Sequence, residues 1–161
     1  MITSRKIFLF DWGNTIMKDF PDETGPMFTW QKVEAMPGVD ALLQKLSKAA
    51  DCYIATNAKD SEKENIIKAL QRVYVSQYFM DVFCFREIGH SKPSKEYFDY
   101  IVDKLKVQKE NMVMVGDNLE SDILGAQAQG IDSILYASED KYPEYDGARV
   151  SNLLSILEIA G

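Results

Sequence analysis

Cysteine, histidine and positive charge are all scarce in this chain. There are two cysteines, Cys52 and Cys84, each inside an apolar, strand-like run. Two thiols without a dense spacing pattern exclude a disulfide framework, and two buried thiols in a reducing compartment are expected. Lysine and arginine number 18 against 25 aspartates and glutamates, a formal net charge of −7. That balance argues against non-specific binding to nucleic acid or to an anionic membrane. It argues less against a phosphate ligand, because a bound cation and one nearby lysine reverse the field inside a small site. No apolar run approaches the length of a membrane span. Ile7–Phe10 is too short for a signal-peptide core, so no targeting segment is read and a cytoplasmic location is expected. Repeats, low-complexity tracts and linkers are also missing.

What is present suits one globular domain over 1–161. With 46% hydrophobic and 27% charged residues, a chain of this size buries roughly 70% of its unfolded surface without disulfides or structural metal. The apolar run Ile7–Phe10 reads as a strand buried on both faces. Residues 12–36 show no clear period and read as a loop excursion. Pro37-Gly38 opens a helix with Val39, Leu42, Leu43 and Leu46 on one face. Cys52–Ala55 is the next buried strand. Ser61-Glu62-Lys63-Glu64 has the form of a capping box ahead of the helix bearing Ile66, Ile67 and Leu70. Val82–Phe85 reads as a third strand. Pro93 and Ser94 open a helix with Tyr97, Phe98, Ile101 and Leu105 on one side. Met112–Val115 is a fourth strand, a helix runs from about Leu119 to its terminator Gly130, Ile131–Tyr136 is a fifth strand, and 151–160 closes the chain as a helix.

Short apolar strands alternating with amphipathic helices predict an α/β fold, a doubly wound parallel sheet in three layers. Functional residues of such sheets lie at the carboxyl ends of the strands. Asp11-Trp12-Gly13-Asn14-Thr15 follows the first strand and Thr56-Asn57 the second. Gly89-His90-Ser91-Lys92-Pro93 comes after the third, and Gly116-Asp117-Asn118-Leu119-Glu120-Ser121-Asp122 after the fourth. Three aspartates gathered together repel one another unless a cation sits among them. Mg2+ suits such carboxylates. A hydroxyl and a lysine suit the remaining oxygens of a phosphoryl group, with Thr56, Asn57 and Lys92 as its binding residues.

These four segments, in this order over about residues 6–136, resemble the four motifs of the haloacid dehalogenase-like hydrolase superfamily. The resemblance implies Asp11 as nucleophile, forming an aspartyl-phosphate that water then hydrolyses. It further implies a catalytic set of Asp11, Thr56 and Lys92. Mg2+ would be held by Asp11, the Gly13 carbonyl, Asp117 and Asp122. Asp11-Trp12-Gly13 departs from the family's phosphatases, which carry a second aspartate two residues after the nucleophile as general acid and base. Gly13 has no side chain there. General acid–base catalysis contributes about 10²–10⁴-fold, so a slow phosphatase favouring good leaving groups is expected. His90 could carry a proton, but a loop histidine bonded to backbone is the plainer reading.

The intervals 16–55 and 57–91 are filled by core elements, so the chain resembles a capless member. This disfavours phosphonate hydrolases and haloacid dehalogenases, both of which rely on a cap. An open site favours a large substrate or a phosphorylated macromolecule, or closure by oligomerisation, and the phosphorylated partner is left as small or macromolecular. Residues 18–36, with Phe20, Phe28 and Trp30, form either a small flap or packing on the sheet edge. A different functional class is a catalytically weak binding or regulatory protein on the same fold. A receiver domain is disfavoured because Thr56 stands where the phospho-accepting aspartate should be.

Overall fold

The computed structural model describes residues 5–160. The ends of the expected 1–161 domain, residues 1–4 and 161, lie outside the described residues. The elements in chain order are β1 (Lys6–Phe10), α1 (Val39–Ala49), β2 (Ala50–Ala55), α2 (Lys63–Arg72), β3 (Phe79–Phe83), a single turn α3 (Phe85–Ile88), α4 (Lys95–Leu105) and β4 (Met112–Gly116). A π-helical turn at Leu119–Leu124 then runs into α5 (Gly125–Ala128), followed by β5 (Asp132–Tyr136), β6 (Arg149–Val150) and α6 (Ile156–Ala160). The sheet has six strands in the order β3-β2-β1-β4-β5-β6, all parallel. This is the α/β, Rossmann-like arrangement predicted, and no separate cap domain is evident among the described residues.

Alternation along the buried strands splits the core in two. Phe8 and Phe10 of β1, Cys52 and Ile54 of β2 and Val113 and Val115 of β4 face α1, α2 and α6. Ile7, Leu9, Tyr53, Met112 and Met114 face α4 and Ala126 of α5. Each large side chain buried this way contributes roughly 1.5–3 kcal/mol of transfer free energy. Both cysteines are buried, as expected, and burial pushes the Cys52 thiol up to about 12, with Asp51 adding to the effect.

Three features differ from the sequence reading. The capping box does not form: Glu62 caps α2 without a side-chain bond, and Ser61 Oγ donates instead to Asp60 Oδ1 at 3.4 Å. The third strand runs Phe79–Phe83 rather than to Phe85, which opens α3. Its early residues sit on the sheet edge, where Met80 is 64% exposed, so no continuous apolar run marks them. The two-residue β6 pairs with β5 ahead of a shorter closing segment, a 3-10 turn at Leu153–Ser155 and then α6. Gly130 does end the helix before it, at φ +79, a backbone region glycine enters without penalty.

Candidate active site

β1 and β4 are neighbours although the chain visits β2 and β3 between them. The connections therefore leave in opposite directions at their carboxyl ends, which opens a crevice there. Asp11 sits at this point, its backbone N–H donating to Val115 O at 2.9 Å. The Trp12 carbonyl then accepts from the N–H groups of Thr15, Ile16 and Met17, turning the chain sharply away from Asp11.

Lys92 enters from the loop between α3 and α4, 3% exposed. Its Nζ donates to Asp11 Oδ1 at 2.8 Å, Asp122 Oδ1 at 2.7 Å and the Ala55 carbonyl at 2.7 Å, so all three ammonium protons are used. Asp122 is 1% exposed and lies on the π-helical turn after β4. Asn118 N–H donates to its Oδ2 at 3.1 Å, while the Asn118 side chain accepts from Ser121 N–H at 2.9 Å. Asp117 accepts from the buried Thr15 hydroxyl at 3.3 Å. Carboxylate oxygens of Asp11, Asp117 and Asp122 lie within 4.8 Å of one another.

The electrostatics follow from this crowding. Burial pushes the Asp11 carboxyl up most, but the Lys92 charge and the hydrogen bonds with Asp117, Lys92 and the Trp12 backbone together outweigh it, and Asp11 stays below its ordinary range. Asp117 is pushed up to about 7, first by burial, then by its hydrogen bond to Asp11 and that residue's charge. Asp122 rises to about 6: burial raises it, Lys92 lowers it and Asp11 raises it again. Burial works against the Lys92 charge, but Asp11 and Asp122 more than restore it. Three carboxylates face one ammonium, and without a cation a proton fills part of the deficit. The donor set thus fits a hard divalent ion bound through oxygen, as Mg2+ is.

The expected site residues fall into two groups. Asp11, Lys92, Asp117 and Asp122 converge directly, and Gly13 and Thr56 line the same cleft as Asp11. Asn57, expected as a phosphate contact, also lines the cleft, and its side chain is bonded to the Lys92 backbone. Its Oδ1 accepts from Lys92 N–H at 2.8 Å and its Nδ2 donates to Lys92 O at 3.1 Å. Its amide therefore holds the lysine's backbone. The Thr56 hydroxyl accepts from Ala58 N–H at 3.0 Å, leaving its own proton for a ligand. His90 is exposed and does not line the cleft.

Other supporting residues carry no signal in the sequence. The Tyr97 hydroxyl donates to Thr56 O at 3.0 Å and shares Phe83 O at 3.3 Å, tying α4 to the ends of β2 and β3. Its helical spacing marked it only as core. Gly125 packs so close to Pro93 that an added Cβ would stand 2.7 Å from the proline ring. Gly116 is similar, since a Cβ there would meet the Asp122 carboxylate at 2.2 Å.

The cleft measures about 310 Å³. The flap at 18–36 forms one wall through Asp19, Gly25, Met27 and Trp30, and the loop after β2 forms the other. Trp30 is buried, its Nε1 donating to Gly25 O at 3.0 Å, with Phe20 edge-on against it at 6.5 Å. Arg72 of α2 donates to the carbonyls of Phe28, Trp30 and Gln31. Phe20 and Phe28 thus pack against the core, the second of the two readings, and Trp30 packs while also lining the cleft. A larger cavity of about 500 Å³ lies at the amino ends of the strands, beside Lys6, Phe8 and Asp132, away from these carboxylates.

Known proteins share this fold and family. Bacillus subtilis (strain 168) YfnB, named as a HAD-hydrolase, is 29% identical over 133 residues, covering 78% of this chain and 55% of YfnB. Escherichia coli (strain K12) YjjG, a pyrimidine 5'-nucleotidase, is 32% identical over 97 residues, 60% of this chain and 42% of its own. The chain spans about half the length of the curated relatives it matches. An uncharacterized Listeria monocytogenes serotype 4b protein superposes with a TM-score of 0.81 at 24% identity, covering 96% of each chain. The magnesium-bound crystal structure of YfnB superposes at 0.78 and 19% identity, over 98% of this chain and 99% of that one. The family model for haloacid dehalogenase-like hydrolases matches residues 9–136, and it is to this family that the chain belongs.

Proposed function

We propose that the chain is a Mg2+-dependent phosphatase, acting as one domain through an aspartyl-phosphate on Asp11. The observation that carries this reading is the Lys92 ammonium, within 2.8 Å of Asp11 and 2.7 Å of Asp122 at the switch between β1 and β4. It keeps Asp11 ionised, as a carboxylate nucleophile must be. A phosphoryl group in the cleft meets Asp11 Oδ on one side and the Thr56 hydroxyl on another. Asp11 attacks phosphorus, the bond to the leaving-group oxygen breaks, and that oxygen departs with the electron pair. Water then attacks the phosphorus of the acyl phosphate, releasing Asp11 and inorganic phosphate. Asp11, the Gly13 carbonyl, Asp117 and Asp122 would hold Mg2+, which supplies charge neutralisation to the phosphoryl oxygens.

Gly13 leaves the departing oxygen without a donor, so aryl and acyl phosphates turn over faster than alkyl ones. The same glycine favours the second reading, a weakly catalytic binding protein on this fold. The deciding experiment is p-nitrophenyl phosphate hydrolysis with Mg2+, with EDTA and with Asp11→Asn. Turnover abolished by EDTA and lost in the variant supports the phosphatase. No turnover with any divalent ion, with phosphate binding retained, selects the binding protein.

A further inference from the structure

The two walls of the cleft differ from a polyanion site in one respect: no cationic side chain lines them, among the described residues. Lys92 reaches Asp11 from beneath, and its three protons are committed. The cations nearest in sequence are directed elsewhere. Lys18 pairs with Glu34 at 3.5 Å, Lys32 lies over the Phe20 ring at 5.2 Å and Lys59 over the Phe85 ring at 5.2 Å. Arg72 is occupied by the flap carbonyls. What lines the walls is an acidic residue from each side, Asp19 on the flap and Asp60 on the loop after β2, together with Met27 and Trp30. Asp19 is fixed through its N–H, which donates to Asn14 Oδ1 at 3.1 Å. Asp60 is fixed through its side chain, which accepts from Ser61 Oγ at 3.4 Å.

We infer that the cleft selects phosphomonoesters with a neutral or cationic leaving group and rejects those carrying a second phosphate or a carboxylate, with Asp19 and Asp60 as the specificity-determining residues. The inference rests on the phosphatase reading. A second anion would enter between two carboxylates with no counter-charge, which is discrimination by repulsion. A cation there meets both. For charges several ångströms apart in a wet cleft, the two contributions together amount to about tenfold.

The test uses two aryl phosphates of similar leaving ability and opposite charge, 4-(aminomethyl)phenyl phosphate and 4-(carboxymethyl)phenyl phosphate. p-Nitrophenyl phosphate serves as the activity reference, all with Mg2+ at low ionic strength. The kcat/KM ratio, amine over carboxylate, is expected to be about ten and to shrink as salt screens the cleft. Asp19→Asn and Asp60→Asn are each expected to cut the ratio about threefold, and the double variant to bring it near one. The ratio is taken within each protein, so a general loss of activity cancels. Turnover of the reference with a native ratio at or below one, or a ratio the variants leave unchanged, overturns the inference and spares the phosphatase. No turnover even of the reference removes the phosphatase reading and this inference with it.

Discussion

Gly13 concentrates the chemical question at the residue scale. A Cβ built there meets nothing within 4 Å, and its backbone lies outside the left-handed range. Nothing steric keeps an aspartate out. Gly13→Asp is therefore expected to fold normally and to raise turnover of alkyl phosphates by about 10²-fold, with aryl phosphates changing only a few-fold. The alkyl-to-aryl ratio of kcat is the measurement, and an unchanged ratio would show that proton donation does not limit this site. Asp11, Lys92, Asp117 and Asp122 were legible as candidates from their places after strands. Asn57 was legible as a position, while its bonds to the Lys92 backbone were not, because only the fold brings that backbone against its amide.

Gly116 ends β4 and shows how an element sets the site. With a Cβ 2.2 Å from the Asp122 carboxylate and 2.5 Å from the Asp122 Cβ, Gly116→Ala forces the turn that carries Asp122 to shift while the strand stays paired. The Lys92–Asp122 contact breaks and Lys92 loses its seat. Activity is expected to fall by about 10²-fold or more, with the circular dichroism spectrum unchanged. Wild-type activity would mean that Asp122 is not needed where it stands. The flap makes the complementary case. Arg72→Ala removes three hydrogen bonds from α2 to the flap carbonyls. The side chain is largely exposed, so the loss is expected to be about 1 kcal/mol, with earlier proteolytic cleavage inside 18–36 and a raised KM. Cleavage starting elsewhere, with KM intact, would detach the flap from substrate binding. The start of α2 and the edge strand β3 were misread by a few residues because Ser61 turns to Asp60 and Met80 is exposed. Local pattern does not register either choice.

At the scale of the whole molecule, the three carboxylates couple stability to metal and pH. Asp117 and Asp122 rise to about 7 and 6 from an ordinary 3.8. Their folded values lie above their unfolded ones, so the contribution they make is present below 3.8 and is lost as pH rises through 6 and 7. Above that range the metal-free protein holds like charges at this site, which Mg2+ bound there would relieve. The Mg2+-dependent rise in melting temperature is thus expected to be larger at pH 8 than at pH 6. Near 100 times its dissociation constant the ion adds about 2.7 kcal/mol, roughly 5–10 °C for a chain of this size. EDTA should remove the increment. A rise equal at both pH values, or absent, would place the ion away from these groups.

Taken alone, the sequence determined the alternation of strand and helix, the order of the four motifs and the set of carboxylates with their lysine. Periodicity and residue type are local properties, and a strand end is marked by the polar residue that follows it. Only the tertiary structure decided that β1 and β4 are neighbours, that one ammonium serves both Asp11 and Asp122, and that Asp19 and Asp60 face a common cleft. Those are contacts between segments many residues apart. They are fixed by which faces bury together and not by any pattern along the chain.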